Sequence, residues 1–351
     1  MLHSGVDQGR SFICENATSS IPATIPEVFH LMSIISRGPA LCTLSICCLM
    51  LSFLPARSGA QTVAADSDRV QTVVAERQPS ADLGNGYYRN PVIAGGYADP
   101  SLVRIGRDYY MVHGGGQARG MLIWHSRDLV NWGPLTRIHV GVEGDIWAPE
   151  LVYYRDLFYL YLPIMVPRPD GSRRAANYVM TAKSLQGPWG EPVDLHVDGL
   201  IDPGHVVDEQ GNRYLYLSAG NAVPLAPDGL RTTGELKKVY EGWLYPQEWV
   251  VECFCLESPK LIRWEGYYYL ISAQGGTAGP STGHMIAVAR SKSPLGPWEN
   301  SPFNPMVRTR LRTEGWWSQG HGTLIDDVEG KWWVVTTGLR TVTAPSGVRR
   351  S

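Results

Sequence analysis

The chain has 351 residues, of which 44% are hydrophobic and 18% are charged, and its formal net charge is -2. These values are typical of a globular protein with a sizeable core. Its 31 basic residues nearly balance the 33 acidic ones and form no basic block, so we expect no nucleic-acid partner. The 12 Trp, 17 Tyr, 38 Gly and 25 Pro favour a β protein with many turns.

Residues 1–60 have the pattern of an N-terminal extension that ends in a secretory signal peptide. The apolar residues 41–54 follow the basic Arg37, and Ala60 and a second small residue stand where a signal peptidase cleaves. The apolar run is too short for an ordinary membrane span. We therefore predict translation from Met32, cleavage after Ala60, secretion to an extracellular or periplasmic space, and no stable membrane association afterwards. An uncleaved anchor is the alternative.

The segment after this leader, residues 61–86, is polar and lacks a clear period, so we expect a linker or mobile arm. Of the six Cys, only Cys253 and Cys255 follow the leader. Two strand residues at this spacing point to the same face but are poorly placed to bond each other, which predicts buried packing. The sequence has no zinc-type spacing and no dinucleotide or phosphate-loop motif, so we expect no organic cofactor.

Five segments of the remaining chain share one layout, in which a polar residue opens a short apolar stretch that is followed by a turn and paired aromatics. They are DPSLVRIGRDYYMV from Asp99, PELVYYRDLFYLYL from Pro149, DPGHVVDEQGNRYLYL from Asp202, ESPKLIRWEGYYYLI from Glu257 and HGTLIDDVEGKWWVV from His321. With Asp99, Glu150, Asp202, Glu257 and His321 taken as equivalent, the gaps are 51, 52, 55 and 64 residues.

Each repeat is predicted to form a hairpin, because its turn carries the Gly, Asp or Asn that hairpin loops require. A second marker, Trp beside Gly or Pro, follows in HSRDLVNWGP, AKSLQGPWGEP and RSKSPLGPWENSP. Two hairpins in each repeat predict an all-β fold, a five-bladed β-propeller. A sandwich and a parallel β-helix fit less well, because the period is too regular for the first and too long for the second. The chain after WWVV is polar, so the fifth blade is expected to be incomplete at the C-terminus.

In such a propeller, the starts of the innermost strands converge near the axis, where the repeats place Asp, Glu, Asp, Glu and His. An acidic residue before Pro or Ser is usually only a turn former. Five ionisable groups at one structural point, however, would perturb each other's pKa values. Hydrolysis of a glycosidic bond needs one protonated acid and one ionised carboxylate.

At these residues the sequence resembles glycoside hydrolase family 43. The resemblance runs from about Asn90 to Val335 and is carried by NPVIAGGYADPSLVRIGRDYYMV, DIWAPEL, LIDPGHVVDEQGNRYLYL, ESPKLIRWEGYYYLISAQGGT and GHGTLIDDVEGKWWVV. It implies that residues 87–351 form the catalytic propeller. By this resemblance Asp99 would be the general base, Glu257 the general acid, and Asp202 the residue that tunes and orients the acid. The mechanism would be inverting, with a carboxyl separation of roughly 6.5 to 9.5 Å.

Further site residues are predicted beside the carboxylates. Trp147 is expected to form a wall of the sugar site, with packing as the alternative, and Glu150 is expected to contact substrate or line the channel. By the resemblance, His284 would contact substrate. By the resemblance, His321 would support a calcium or other ion on the axis through waters, in a structural rather than catalytic role. The alternative is a neutral His satisfied by hydrogen bonds. His113 is expected to face solvent in a loop.

The resemblance implies an exo-acting enzyme that removes arabinofuranosyl or xylosyl residues from plant cell-wall polysaccharides or their oligosaccharides, so the expected partner is a hemicellulose- or arabinan-derived carbohydrate. An arabinanase or galactan-acting enzyme of the same family is one alternative. A carbohydrate-binding propeller without catalysis is the other. The oligomeric state is not predicted.

Overall fold

The computed structural model describes residues 11–15, 78–115, 120–277, 279–344 and 347–350. The predicted signal peptide and its cleavage site lie outside these ranges, as do residues 61–77 of the predicted linker. In the part of the chain that is described, no helix is long and apolar enough to cross a membrane. Apart from a 3-10 turn at Ser218–Gly220, the regular structure of these residues is β-strand.

Strand β1 (Ser11–Glu15) comes first in the chain, and four antiparallel sheets follow it in chain order. The first sheet contains β2 (Ala98–Ile105), β3 (Asp108–Gly114), β4 (Met121–Ser126) and β5 (Gly133–Ile138). The second contains β6 (Asp145–Ile146), β7 (Glu150–Tyr154), β8 (Leu157–Pro167), β9 (Arg173–Ala182) and β10 (Val193–Asp198). The third contains β11 (Gly204–Val207), β12 (Arg213–Leu217), β13 (Asn221–Leu225) and β14 (Lys237–Lys238). The fourth contains β15 (Leu256–Trp264), β16 (Tyr267–Gln274), β17 (Met285–Ser291) and β18 (Glu299–Asn300).

The innermost strands of successive sheets contact one another. Strand β2 contacts β7, β7 contacts β11, and β11 contacts β15. Hydrophobic clusters fill the space between sheets; Ile123 of the first sheet and Leu160 of the second, for example, share one cluster and are fully buried. Burial of such a side chain contributes about 1.5–3 kcal/mol. This arrangement of sheets is a β-propeller, and the predicted all-β propeller fold is confirmed.

The last sheet contains β19 (Trp316–Asp326), β20 (Trp332–Ala344), β21 (Gly347–Arg350) and the N-terminal β1. Strand β19 contacts both β15 and β2. The polar stretch after WWVV, expected to lack strand structure, continues β20 as far as Ala344. Its Thr and Val residues have high β propensity even without aromatics, which explains the difference. Strand β1 pairs with β20 from Ser11 opposite Gly338 to Glu15 opposite Val334, so cleavage after Ala60 would separate β1 from this sheet.

The predicted hairpin turns are present between the first two strands of the repeats. Arg155 and Asp156 join β7 to β8 with φ angles of 50° and 60°. Glu265 and Gly266 join β15 to β16 with φ angles of 45° and 73°. Two consecutive positive φ values characterise the turn whose twist matches that of the flanking strands.

Each innermost strand has a positive-φ residue two positions before the start of its uninterrupted ladder with the next strand. These residues are Asp99 (61°), Ala148 (45°), Asp202 (60°), Ser258 (52°) and His321 (49°). Proline follows the first four. The predicted equivalence was therefore wrong for two repeats, since Glu150 lies two positions after the shared residue and Glu257 one before it. The feature that the repeats share is the backbone turn, and the acidic side chains do not all occupy the same position relative to it.

Candidate active site

Asp202 is the most deeply buried of the three predicted catalytic carboxylates, with 3% of its surface exposed. Its Oδ2 accepts a hydrogen bond of 3.0 Å from the backbone N–H of Ser258. Burial raises the pKa of Asp202 well above its usual range, and the negative charges of Glu257 and Asp99 raise it further. The Ser258 N–H and the Lys260 charge act in the opposite direction. The three acids therefore lie within electrostatic reach of one another.

Glu257 lies on β15 and is more accessible, with 23% of its side chain exposed. Its neighbour Ser258 has a φ of 52°, and the pairing with β16 shifts register between Glu257 and Lys260. This irregularity turns the strand where the carboxylate stands. Oε2 of Glu257 is 4.0 Å from Nε2 of His284.

Asp99 is held by two elements of the last sheet. Its backbone N–H donates a hydrogen bond of 2.8 Å to Oγ1 of Thr337 on β20. Its Oδ1 lies 3.3 Å from Nδ1 of the buried His321 on β19. Thr337 belongs to the polar C-terminal stretch, which has no sequence pattern that places it beside the site.

His284 is buried, with 1% of its side chain exposed, and its ring packs against the backbone of Gly320. A Cβ at Gly320 would stand 2.4 Å from Cγ of His284. Only glycine leaves room for the imidazole here. The structure thus brings His284 beside Glu257, and a contact between His284 and substrate stays a prediction.

A cleft of about 690 Å³ opens beside Glu257, between the second and third sheets and the segment before β15. Trp147 and Phe254 line it, and they are 46% and 54% exposed. Flat aromatic faces of this kind can pack against the apolar face of a sugar ring. Trp147 therefore lies where a substrate contact is predicted.

Glu150 is buried in an ion pair. Its Oε2 accepts hydrogen bonds from Lys260 Nζ and, at 2.7 Å, from Ser101 Oγ. This geometry favours the channel-lining role over the predicted substrate contact. Lys260 and Ser101 are functional neighbours that were not predicted from the sequence. Their sequence positions could have revealed them, because Lys260 and Ser101, like Glu150, each directly follow a proline in their repeat.

His113 does not face solvent as predicted, since only 4% of it is exposed. Strand β3 continues through His113, and the ring of Tyr97 packs edge-on against it at 4.8 Å between centroids. Burial lowers the pKa of His113 to about 4. This histidine is therefore neutral at ordinary pH.

Cys253 and Cys255 form a disulfide, which corrects the prediction that they only pack. The prediction assumed strand geometry, but β15 begins at Leu256 and the segment before it is irregular. Its folding brings the two Cα atoms to 5.2 Å, within the range that a disulfide spans. The bridge encloses Phe254 at the lip of the cleft.

The residues around His321 do not fit direct coordination of a metal. Within the described ranges, no group of three or more His, Cys, Asp or Glu could hold an ion together. Calcium takes about six to eight oxygen ligands, whereas His321 offers nitrogen atoms. Nδ1 of His321 also lies beside Asp99. A water-mediated ion beside His321 stays a prediction, and no step of the chemistry is derived through it.

Comparison with known proteins identifies the family of this chain. Residues 88–350 match the family model described as glycosyl hydrolases family 43. The chain is 33% identical over 284 residues to a xylan 1,3-beta-xylosidase from a Vibrio species, covering 74% of this chain and 51% of that protein. It is 29% identical to a non-reducing end alpha-L-arabinofuranosidase of Bacteroides ovatus, covering 75% of this chain and 50% of that protein.

Solved structures give the same result. A xylan beta-1,4-xylosidase from Bacillus halodurans is similar with a TM-score of 0.62 and 28% identity, covering 75% of this chain and 56% of that one. This chain spans about half the length of the curated relatives it matches. The family match extends over all three carboxylates and both aromatic hairpin strands of the last sheet. The chain belongs to glycosyl hydrolases family 43.

Proposed function

We propose that this chain is an exo-acting glycosidase that removes arabinofuranosyl or xylosyl residues from plant cell-wall polysaccharides or their oligosaccharides. The observation that carries the proposal is the buried Asp202, whose pKa is raised by burial and by the charges of Glu257 and Asp99. A set of carboxyl groups that retains a proton while another stays ionised is what glycosidic hydrolysis requires. The names of the similar proteins, a xylosidase and an arabinofuranosidase, support the two sugars.

The proposed mechanism is a single displacement with inversion. Glu257 donates its proton to the glycosidic oxygen as the bond to the anomeric carbon breaks. Asp99 takes a proton from a water whose oxygen bonds to that carbon from the opposite face. Asp202 orients Glu257, and the repulsion between these two carboxyl groups keeps one proton on the pair. Exchange with solvent then restores the proton on Glu257 and removes the one on Asp99.

We also propose that the protein is secreted and that its propeller has five blades. The Cys253–Cys255 disulfide supports export, because such bonds persist in oxidising compartments. The contacts of β19 with both β15 and β2 support a fifth blade that closes the ring.

A panel of nitrophenyl glycosides tests the activity. We expect turnover of the α-L-arabinofuranoside or the β-D-xylopyranoside, with little on the β-D-galactopyranoside. Asp99→Asn should abolish this turnover. The mechanism would be overturned if turnover were unchanged in both Glu257→Gln and Asp99→Asn. No turnover of any glycoside, with retained binding of xylo- or arabino-oligosaccharides, would favour a carbohydrate-binding propeller.

A further inference from the structure

A second layer of residues joins the innermost strands next to the carboxylates. It consists of the residues two positions after the shared positive-φ residue: Ser101, Glu150, Gly204, Lys260 and Thr323. Thr323 Oγ1 donates a hydrogen bond of 2.7 Å to the carbonyl oxygen of Pro100. Gly204 packs so closely that a Cβ there would stand 1.7 Å from the carbonyl oxygen of Pro259. The layer therefore connects neighbouring strands through side chains and close backbone packing.

Lys260 and Glu150 are the charged members of this layer. Their side chains are 4% and 11% exposed, and they form an ion pair. Lys260 Nζ also donates a hydrogen bond of 3.3 Å to the carbonyl oxygen of Pro203, the residue after Asp202. Removing the two charges from water costs roughly several kcal/mol per ion, and this cost offsets their attraction. A stabilising effect on the fold is therefore a weak explanation for the pair. A role in the adjacent chemistry is the alternative.

Each catalytic carboxylate is close in sequence to this pair. Asp99 lies two residues before Ser101, which bonds Glu150. Asp202 precedes Pro203, which bonds Lys260, and Glu257 lies three residues before Lys260 itself. A change at the ion pair therefore acts on three short segments at once.

We propose that Lys260 is a positioning residue for the reaction: held by Glu150, it fixes the Asp202 and Glu257 segments relative to each other and places a positive charge beside Asp202. The inference rests on the proposed function. Among the described residues whose charges act most strongly on Asp202, Glu257 and Asp99 oppose its ionised form and Lys260 favours it. From the neighbouring elements, His284 lies beside Glu257 and His321 beside Asp99. Lys260 thus limits how firmly the carboxyl pair holds its proton.

The test is the pH profile of kcat/KM, whose basic limb reports loss of the proton from the acid. Lys260→Met removes the positive charge, so the limb should move to higher pH by about 0.5 unit or more. Glu150→Gln leaves the lysine charge uncompensated, so the limb should move to lower pH. Lys260→Arg should keep the wild-type profile. Shifts of opposite sign from the two halves of one ion pair are not expected from a merely structural contact.

The double variant Lys260→Met, Glu150→Gln provides a form without an unpaired buried ion, should a single variant fail to fold. Its basic limb should move to higher pH, by less than in Lys260→Met. An unmoved limb in the folded double variant, or shifts of the same sign in both folded single variants, would overturn the inference.

A second readout needs no activity and separates this inference from the proposed function. The difference in Tm between the wild type and Asp202→Asn, followed against pH, reports the titration of Asp202. Its midpoint should move to higher pH when both proteins also carry Lys260→Met. If the wild type hydrolyses no glycoside but the midpoint moves, the proposed function fails and the charge coupling stands. An unmoved midpoint would contradict the inference whatever the activity.

Discussion

The backbone N–H of Ser258 donates a hydrogen bond of 3.0 Å to Oδ2 of Asp202, which ties the residue after Glu257 to the neighbouring sheet. This bond crosses from the fourth sheet to the third. It exists because Ser258 has a positive φ that directs its N–H away from the regular ladder with β16. The positions of the two carboxyl groups are therefore coupled through the backbone as well as through their charges.

Replacing Asp202 with Asn should raise stability increasingly as pH rises. The pKa of Asp202 is raised in the folded state. The contribution of Asp202 to stability is therefore fully present below its ordinary pKa, and it is lost as the pH rises through the pKa of the folded state. Above that pH an ionised, buried carboxylate destabilises the wild type. We expect Asp202→Asn to exceed the wild type in Tm by more at about pH 8 than at about pH 4. A constant difference in calorimetry would contradict the raised pKa.

Acid should destabilise the protein through a buried histidine between the second and third sheets. Burial lowers the pKa of His205 to about 3, and the charge of Arg213 adds to this. The folded state therefore favours neutral His205, and its contribution is lost as pH falls from about 6.5 toward 3. His205→Gln, which can still accept the hydrogen bond from Arg213, should flatten the fall of Tm over this range. The matched variant His139→Gln, at an exposed histidine, should leave the slope unchanged.

The close approach of the third and fourth sheets at Gly204 should not tolerate a methyl group. In Gly204→Ala the added Cβ would collide with the carbonyl oxygen of Pro259 at 1.7 Å. Because the obstacle is backbone, we expect a loss of about 2 kcal/mol or more in the free energy of unfolding. Gly133→Ala is the control, since no atom lies within 4 Å of its added Cβ. Equal denaturation midpoints for the two variants would show that the strands separate easily.

A water-mediated calcium ion beside His321 predicts a response to calcium in the purified protein. Calcium should raise Tm and a chelator should lower it, because an ion that binds only the folded state stabilises it. Magnesium, which prefers a smaller octahedral site, should have a weaker effect. His321→Gln should remove the response. Equal Tm values with calcium and with chelator would show that no calcium ion stabilises the folded protein.

Much of the fold could be predicted from the sequence because turn chemistry and paired aromatics recur in every repeat. In the hairpin turns at Arg155–Asp156 and Glu265–Gly266, the second residue is an Asp or Gly, which tolerates the positive φ found there. The strand formed by residues 336–344 was missed because it has β-branched residues but no aromatics. Pairing of β1 with β20 is a contact between distant segments, and no local pattern reveals such a pairing.

The three carboxylates could be found because each opens a repeat, whereas Lys260 and Ser101 could be found only by aligning the prolines of the repeats. Lys260 looks like an ordinary strand residue until the positive-φ residues are aligned in place of the acids. The Cys253–Cys255 disulfide depends on an irregular path before β15, and His113 on packing by Tyr97. These features are set by tertiary contacts, which spacing along the chain does not encode.

The central claim, that Glu257 is the general acid and Asp99 the base, is tested most directly by the dependence of kcat/KM on the leaving group. The measurement compares a disaccharide of the accepted sugar with its dinitrophenyl glycoside. Glu257→Gln should lower kcat/KM by about 100-fold or more for the disaccharide and by less than about tenfold for the dinitrophenyl glycoside, which needs no protonation to depart. Asp99→Asn should lower both alike. An equal effect of Glu257→Gln on both substrates, or no effect on either, would contradict the assignment.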